Sequence, residues 1–347
     1  LLSRWGLRDL ALWSCEAGAD QEFVALWEEL TTATVWSSSE LLGRLEDGTS
    51  NWSLASASGT ALSTPPITTT ILYAWGGQLT VNYTSTDGLG ANDVRDVYVS
   101  GDTIYAATDG GLSISADNGK SWTNYTTNEG LKGDDVLSVY ASGGAIYVAG
   151  QGGLSISPDN GNKWSQVDLG FSAVPRVYDV YESNGIIYAG TNDPFGGLSI
   201  STDGGKTFSK RSKSNGLGNN IVPDVYVSGG VIYAATNGGL SISTDKGSNF
   251  QNYTTENGLA SNAVQGVYES DGTIYAATNQ GLSISTNNGT SFTTYTTANG
   301  LGGPSVWDVY ASDGTIYAAT NAGLSISTDN GKTFKNYTNG LGSSSTN

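Results

Sequence analysis

Apolar and polar residues alternate in short runs along most of the chain, and glycine, asparagine or aspartate separates one run from the next. Residues 94–99 read Val-Arg-Asp-Val-Tyr-Val, and after Ser-Gly-Asp the run 103–108 reads Thr-Ile-Tyr-Ala-Ala-Thr. Two further runs follow at 112–115 and 121–126, each after a turn sequence. Runs of about six β-forming residues with such turns between them are typical of antiparallel hairpins. The pattern therefore predicts four short strands within residues 87–128.

This four-strand pattern recurs at a nearly fixed interval. The string Gly-Leu-Ser-Ile-Ser marks each copy and begins at Gly111, Gly153, Gly197, Gly239, Gly281 and Gly323. Successive copies begin 42 residues after one another, except for one interval of 44 residues. A repeat of this length with four strands matches one blade of a β-propeller. We therefore expect an all-β fold, a six-bladed β-propeller of four-stranded blades, over residues 79–347.

The part of the chain before the repeats has a different character. It holds six of the nine Trp but seven of the 48 Gly. Two apolar runs, 10–15 and 34–39, have the composition of buried strands, and the segment between them has helical apolar spacing. We expect a small α/β piece over residues 1–60, followed by a linker and β-prone segment over residues 61–78.

That β-prone segment has no counterpart within a repeat. Residues 79–86, which follow it, match the fourth strand of a repeat, so the chain holds six complete repeats and one surplus fourth strand. Either this strand or the last strand of the sixth repeat closes a six-bladed ring, and the other is left over. A surplus strand beside an open edge is what strand donation between subunits requires. The residues expected to carry such assembly are Ile67, Ile71, Leu72, Tyr73 and Trp75.

Composition and charge narrow the classes of function. With 15 Lys+Arg against 32 Asp+Glu the net charge is −17, which argues against nucleic acid as a partner. No apolar run approaches the length of a membrane span. The absence of His excludes a Ser-His-Asp triad and a His-ligated metal. Because the sequence has no Met and begins with Leu1, we expect a piece of a longer exported chain, located extracellularly or at the cell surface.

The turn after each Gly-Leu-Ser-Ile-Ser string is a motif of its own, for example Ser-Thr-Asp-Gly-Gly-Lys-Thr-Phe at 201–208. It resembles the Asp-box (BNR) hairpin of sialidase-type propellers, and the flanking strands also resemble blades of sensor-type periplasmic propellers. The acidic or amide residues of the six turns are Asp117, Asp159, Asp203, Asp245, Asn287 and Asp329. We expect each to hold its own turn. Calcium binding is the alternative, although each turn has one acidic residue at most and calcium prefers several carboxylates. No metal or other cofactor is predicted.

The enzymatic chemistry of sialidases does not carry over with the turn. Those enzymes need three arginines that converge on the substrate carboxylate, whereas the repeats hold Arg95, Arg176 and Arg211 at three unrelated places in their blades. We therefore predict no catalytic residues in this sequence, because a shared fold does not imply a shared active site.

The first strand of each repeat carries a second set of candidate residues. Its central position reads Asp96, Ser138, Asp179, Asp224, Gly266 and Asp308, so four carboxylates are expected around the propeller axis. The neighbouring position is the most varied in the repeat and includes Tyr178, Gln265 and Trp307. The aspartates are interpreted either as a rim that satisfies neighbouring backbone groups or as a ligand site. Paired carboxylates for glycoside hydrolysis are a third and weaker interpretation.

The front piece resembles a second family. Its series Leu-Trp-Ser-Cys-Glu-Ala-Gly-Ala-Asp, followed by Val-Trp-Ser-Ser-Ser and Asn-Trp-Ser-Leu, is similar to the C-terminal half of the DUF4347 domain of large secreted cyanobacterial surface proteins. That resemblance implies a caspase-like fold in which a Cys/His pair would include Cys15. Since the chain has no His, we expect Cys15 to be an inert thiol.

These observations favour a non-enzymatic extracellular structural or adhesive protein that associates with itself, as a filament or sheath subunit. The alternative is a glycan-binding propeller that uses its varied rim residues, and a glycoside hydrolase is the weakest hypothesis. The partner expected first is another copy of the chain, and a surface glycan comes second.

Overall fold

The structure, a computed structural model, describes residues 83–171 and 173–338, together with the backbone of four short strands nearer the N-terminus. The chain divides into two compact units, Leu1–Gln78 and Leu79–Asn347. The predicted assembly segment 67–75, the predicted helix and Cys15 lie outside the described residues.

The first unit contains one small sheet. Its strands are β1 (Asp9–Leu12), β2 (Thr34–Ser37), β3 (Leu54–Ser56) and β4 (Ala61–Leu62), in that order across the sheet. β1 and β2 are parallel, and the other neighbours are antiparallel. These two parallel strands overlap the two apolar runs that the sequence assigns to strands.

The second unit consists of six blades, each a four-stranded antiparallel sheet in chain order. This confirms the predicted all-β propeller with six four-stranded blades. Blade 1 comprises β5 (Val94–Ser100), β6 (Thr103–Thr108), β7 (Gly111–Ser115) and β8 (Thr123–Tyr125). Blade 2 comprises β9 (Val136–Ser142), β10 (Ala145–Gly150), β11 (Gly153–Ser157) and β12 (Ser165–Val167). Blade 3 comprises β13 (Val177–Ser183), β14 (Ile186–Thr191), β15 (Leu198–Ser201) and β16 (Ser209–Arg211). Blade 4 comprises β17 (Asp224–Ser228), β18 (Val231–Thr236), β19 (Gly239–Ser243) and β20 (Gln251–Tyr253). Blade 5 comprises β21 (Val264–Ser270), β22 (Thr273–Thr278), β23 (Gly281–Ser285) and β24 (Thr293–Tyr295). Blade 6 comprises β25 (Val306–Ser312), β26 (Thr315–Thr320), β27 (Gly323–Ser327) and β28 (Lys335–Tyr337).

The fourth strand of each blade is shorter than the sequence suggests. In blade 1 it spans Thr123–Tyr125, whereas the prediction began at Ser121. Ser121 belongs to the turn, because its backbone N–H donates to the carboxylate of Asp117 at 2.9 Å. Local side-chain-to-backbone bonding of this kind competes with strand pairing.

Short 3-10 turns precede four of the blades, at Ser85–Asp87, Lys213–Asn215, Thr255–Asn257 and Thr297–Asn299. Each begins with a Ser or Thr cap and ends on a glycine in the left-handed region, such as Gly258 at φ 94. The leucine that follows is buried, as Leu259 is. Each such turn thus leads the chain from one blade to the next.

The core lies between neighbouring blades. The second and third strands present apolar residues on both faces, so Leu154 and Tyr147 of blade 2 pack with Val180 and Ile187 of blade 3. Equivalent clusters join blades 1 and 2, 3 and 4, 4 and 5, and 5 and 6. Complete burial of one such leucine contributes about 2 kcal/mol.

The six blades form an arc that does not close on itself. The first strands pack in series, β5 on β9, β9 on β13, and so on to β21 on β25. Among the described residues no comparable interface or apolar cluster joins blade 6 to blade 1. We call the space between β25 and β5 the seam.

Candidate functional site

The six turns that carry the predicted Asp or Asn residues are held by those side chains. In blade 3, Asp203 Oδ1 accepts the backbone N–H of Thr207 at 2.9 Å, and its Oδ2 accepts the hydroxyl of Thr207 at 2.6 Å. The Ser201 hydroxyl donates to the same carboxylate at 2.8 Å and accepts the N–H of Gly205. In blade 5, Asn287 accepts the corresponding N–H from Ser291 at 3.0 Å. The acceptor oxygen, which an amide also provides, is therefore what each turn uses.

Charge at these turns makes the fold sensitive to acid. Hydrogen bonds to the hydroxyl and the N–H of Thr207 lower the pKa of Asp203 to about 2. Because this pKa lies below its ordinary value, the stabilisation is present above about pH 4 and is lost as the pH falls toward 2. We expect Asp203→Asn to keep the fold at pH 7 and to weaken the loss of thermal stability between pH 4 and 2. The reciprocal variant Asn287→Asp should increase that loss, and circular dichroism melts measure both. Identical acid profiles for all three proteins would contradict this assignment.

Three of the four predicted axial aspartates bind the backbone of the next blade. Each carboxylate Oδ2 accepts the N–H of the valine in the following first strand: Asp96 from Val139 at 2.9 Å, Asp179 from Val225 at 2.9 Å, and Asp224 from Val267 at 2.6 Å. In blade 2 the hydroxyl of Ser138 accepts the N–H of Val180 at 3.3 Å. These side chains link successive blades around the axis.

The series of axial bonds ends at blade 5. Gly266 has no side chain to offer blade 6, and Asp308 instead accepts the N–H of its own neighbour Val309 at 2.7 Å. Asp308 therefore makes no bond of this kind to blade 1 within the described chain. The axial bonds thus stop one border before the packing of the first strands, which continues from β21 to β25.

Burial of these carboxylates changes their protonation. It raises the pKa of Asp96 to about 7, and the charges of Asp179 and Asp308 add to the rise. Burial also raises the pKa of Asp179, and it raises that of Asp224 well above the ordinary range. The neighbouring charges of Asp179 and Asp308 add to the rise at Asp224.

A raised pKa predicts the opposite pH dependence from the turn aspartates. The contribution of Asp96 is fully present below about pH 4 and is lost as the pH rises toward 7. Asp96→Asn keeps the acceptor for Val139 and removes the buried charge. We expect it to raise the melting temperature at pH 7.5 by at least about 3 °C and to leave it unchanged at pH 4. The exposed Asp102→Asn is the control, and a gain in Asp102→Asn equal to that in Asp96→Asn would contradict the account.

The varied position next to each axial residue is a β-bulge in five blades. The register of the first two strands slips there, so that Arg95, Leu137, Tyr178, Gln265 and Trp307 have no partner residue opposite. Bulges turn a side chain away from the regular pleat and are common beside binding sites. Trp307 is 55% exposed, and the Arg176 guanidinium lies 5.1 Å from the ring centre of Tyr178. The structure thus places the predicted rim residues at the same end of their strands.

A row of six packed tyrosines, one from each blade, is the feature that the sequence reasoning missed. The first strands place one tyrosine each beside the axis, and neighbouring ring centres lie 4.6 to 5.3 Å apart: Tyr98, Tyr140, Tyr181, Tyr226, Tyr268 and Tyr310. Burial raises the pKa of Tyr181 to about 12, so its phenol stays protonated. Among the described residues no ring contact joins Tyr310 to Tyr98. The signal was present, because every repeat contains Val-Tyr at this place.

Side chains at the seam are exposed where their counterparts in other blades are buried. Val97 and Val99 of β5 are 55% and 57% exposed, whereas Val139, the equivalent of Val97 in blade 2, is 2% exposed. On the opposite wall Tyr310 is 51% exposed. The repeat gives both walls the apolar residues of a blade-to-blade interface, and neither wall has a partner within the described chain.

Of the surplus fourth strand predicted over residues 79–86, the structure describes Tyr83 onwards. The Tyr83 ring packs edge-on against Trp122 of blade 1 at 5.8 Å, as Tyr125 of blade 1 packs against Trp164 of blade 2 at 5.7 Å. Tyr83 thus takes the place of the fourth-strand tyrosine of a blade that precedes blade 1. Residues 79–82 lie outside the described residues, and β28 remains paired in blade 6. Tyr83 and β28 therefore have separate places.

The three arginines of the propeller serve separate local roles. Arg95 pairs with Asp109 at 2.9 Å, Arg211 donates to the carbonyl oxygen of Gly247, and Arg176 stacks near Tyr178. Within residues 83–171 and 173–338 no group of three or more Asp or Glu side chains is arranged to hold a metal ion. In the part of the chain that the structure describes, no helix is long and apolar enough to cross a membrane.

Comparisons with known proteins agree with the propeller architecture. The family model of the DUF6242 beta propeller domain matches residues 117–218. No curated protein sequence matches the chain. The chain is therefore similar to that family over the matched residues, which lie in blades 1 to 3.

Several solved structures share the fold. The extracellular domain of a protein assigned to the hybrid two component systems of B. thetaiotaomicron is 23% identical with a TM-score of 0.61, and the match covers 71% of this chain and 34% of that one. YCF48 bound to D1 peptide is 18% identical with a TM-score of 0.53, over 70% and 80% of the two chains. An ancestral GH74 enzyme is 19% identical with a TM-score of 0.54, over 67% and 36%. This chain thus spans about a third of the length of the first and third of these proteins, and the likeness shows the fold alone.

Proposed function

We propose that this chain is a non-enzymatic extracellular protein that associates with itself through its N-terminal segment and surplus strand, as a structural or adhesive subunit. The observation that carries the proposal is the seam, where two apolar walls lack a partner in the described chain while the same positions are buried elsewhere. Exposed apolar patches of this kind mark interaction sites. Tyr83, which matches the fourth-strand tyrosine of a repeat, packs against Trp122 of blade 1.

Other observations support the remaining parts of the proposal. Some of the structurally similar propellers are described as extracellular domains, which supports an extracellular location. Asp96, Asp179 and Asp224 accept hydrogen bonds from backbone N–H groups of neighbouring blades, which supports a structural role for these carboxylates. The turn aspartates are likewise occupied within their own turns.

Deletion of residues 1–78 tests this function. Electron microscopy of the full chain is expected to show extended or multimeric particles, and the truncated chain is expected to show single propellers. The truncated protein must keep the circular dichroism spectrum of the β-sheet propeller for the comparison to count. Unchanged assembly after the deletion would overturn the role of the N-terminal segment.

Glycan binding at the rim is a second candidate function. The observation that favours it is the exposed Trp307 on a bulge, in line with the bulged Gln265 and Tyr178 on other blades. An exposed aromatic ring can stack on the apolar face of a sugar. A glycan array should then give signals that Trp307→Ala abolishes, while Phe195→Ala, which removes a ring elsewhere that is 78% exposed, keeps them. A silent array, or binding that survives Trp307→Ala, would contradict this function.

A further inference from the structure

The seam differs from the other borders between blades in the exposure of its first-strand side chains. At the five other borders, the apolar residue at the middle of the first strand packs against the neighbouring blade and is at most 4% exposed: Val139, Val180, Val225, Val267 and Val309. At the seam the equivalent residue, Val97, is 55% exposed, and Tyr310 on the first strand of blade 6 is 51% exposed. Because both walls have interface side chains, an occupant must be apolar on both of its faces.

The segment 67–75 meets this requirement in its sequence. It reads Ile-Thr-Thr-Thr-Ile-Leu-Tyr-Ala-Trp and contains no charged residue. In an extended strand Ile71, Tyr73 and Trp75 point to one side, and Leu72 and Ala74 point to the other. A strand with one face in solvent would alternate apolar and polar residues, whereas this one has apolar residues on both sides. The segment itself brings no ion into the seam.

We propose that the seam of one copy is filled by residues 67–75 of a second copy. The segment falls in the first compact unit of its own chain, whereas the seam belongs to the second. Trp75 is eight positions from Tyr83, which packs against Trp122 of blade 1. Eight extended residues span at most about 26 Å, and this length limits how far the segment can lie from Tyr83.

This arrangement gives the assembly a direction. The donated segment and the accepting seam are different surfaces, so the contact is heterologous and each copy can donate once and accept once. Contacts of this kind build open chains or rings of subunits. The inference rests on the proposed self-association and names the surface and the segment that produce it.

Cysteine cross-linking between copies tests the assignment. In a Cys15→Ser background, one chain carries Thr70→Cys in the donor segment and a second, isotopically heavy chain carries Val99→Cys in the seam. The control acceptor is Val174→Cys, which is equally exposed at 60% but lies outside the seam. Mass spectrometry of the mixed and oxidised proteins identifies disulfides between light and heavy chains. A third protein carries Thr70→Cys and Val99→Cys in the same chain.

We expect light-to-heavy disulfides at Val99→Cys at least about tenfold more abundant than at Val174→Cys, since a disulfide needs α-carbons within about 7 Å. Disulfides within single diluted chains of the third protein would assign the seam to the chain's own segment and overturn the proposal. Assembly without seam disulfides would overturn the seam as acceptor while leaving self-association intact. Absence of assembly at every concentration would overturn the proposed function together with this inference.

Discussion

Val139→Ser is expected to destabilise the propeller by about 2–4 kcal/mol, whereas Val97→Ser, the same substitution at the same repeat position, should cost less than about 0.5 kcal/mol in the dilute monomer. The difference follows from burial. Val139 is 2% exposed between blades 1 and 2, and Val97 is 55% exposed at the seam. The serine hydroxyl at position 139 would lose water and apolar contact together, while at position 97 it would remain hydrated.

Urea unfolding followed by tryptophan fluorescence measures both free energies, provided that the slope with denaturant is the same. Val180→Ser, at another buried border, is a second reference and should behave as Val139→Ser does. Equal losses for Val97→Ser and Val139→Ser in the monomer would mean that blade 1 packs against blade 6, and the open arc would be wrong.

Gly239→Ala is expected to cost more than about 3 kcal/mol, because the backbone there is unsuited to any side chain. Gly239 opens the third strand of blade 4 at φ 129, and a Cβ at this position would overlap the carbonyl oxygen of Tyr253 on the fourth strand. The clash is with backbone of the same sheet, so relief requires the two strands to separate. The same approach of a fourth-strand tyrosine carbonyl oxygen accounts for the equivalent glycines of blades 1, 5 and 6: Gly111, Gly281 and Gly323.

Gly229→Ala is the matched control in the same blade. Gly229 also has a positive φ, 57, but no atom lies within 4 Å of its Cβ position. It should therefore cost about 1 kcal/mol, from the left-handed backbone alone. Thermal melts separate the two variants, and a Gly239→Ala protein as stable as Gly229→Ala would contradict the described pairing of β19 with β20.

Much of the fold could be predicted from the sequence because the same four-strand pattern occurs six times. The Gly-Leu-Ser-Ile-Ser string fixes one buried strand per blade, and the runs on either side of it supply the neighbours. The boundary of the fourth strand was less accurate, since Ser121 can either continue a strand or bond to Asp117, and the turn bond prevails.

The open seam could not be read from the repeat. Val97 and Val139 occupy equivalent positions in nearly identical sequences, yet one is exposed and the other is buried. Whether six blades close into a ring depends on the angle between neighbouring blades. Every border contributes a little to the total angle, so no single residue determines closure. For the same reason the sequence left open which fourth strand closes a ring of six, whereas the structure gives Tyr83 and β28 separate places.

The axial residues show a different limit of sequence reasoning. Their position in the strand was predictable from the two-residue period, but the bulge before Asp96 was not, because a bulge changes register without changing composition. The bond from Val139 to Asp96 joins two blades that are distant in sequence. The row of tyrosines was visible as a constant Val-Tyr pair and was overlooked because a β-forming residue in a strand needs no further explanation.

Sedimentation velocity of the full chain over a range of concentrations tests the central claim, self-association through the seam, most directly. The account predicts larger species that grow with concentration and that Val99→Lys abolishes, because a charge on the seam wall cannot be buried against an apolar strand. Val174→Lys, an equally exposed position outside the seam, should leave those species unchanged. A monomer at every concentration, or association that survives Val99→Lys, would contradict the account.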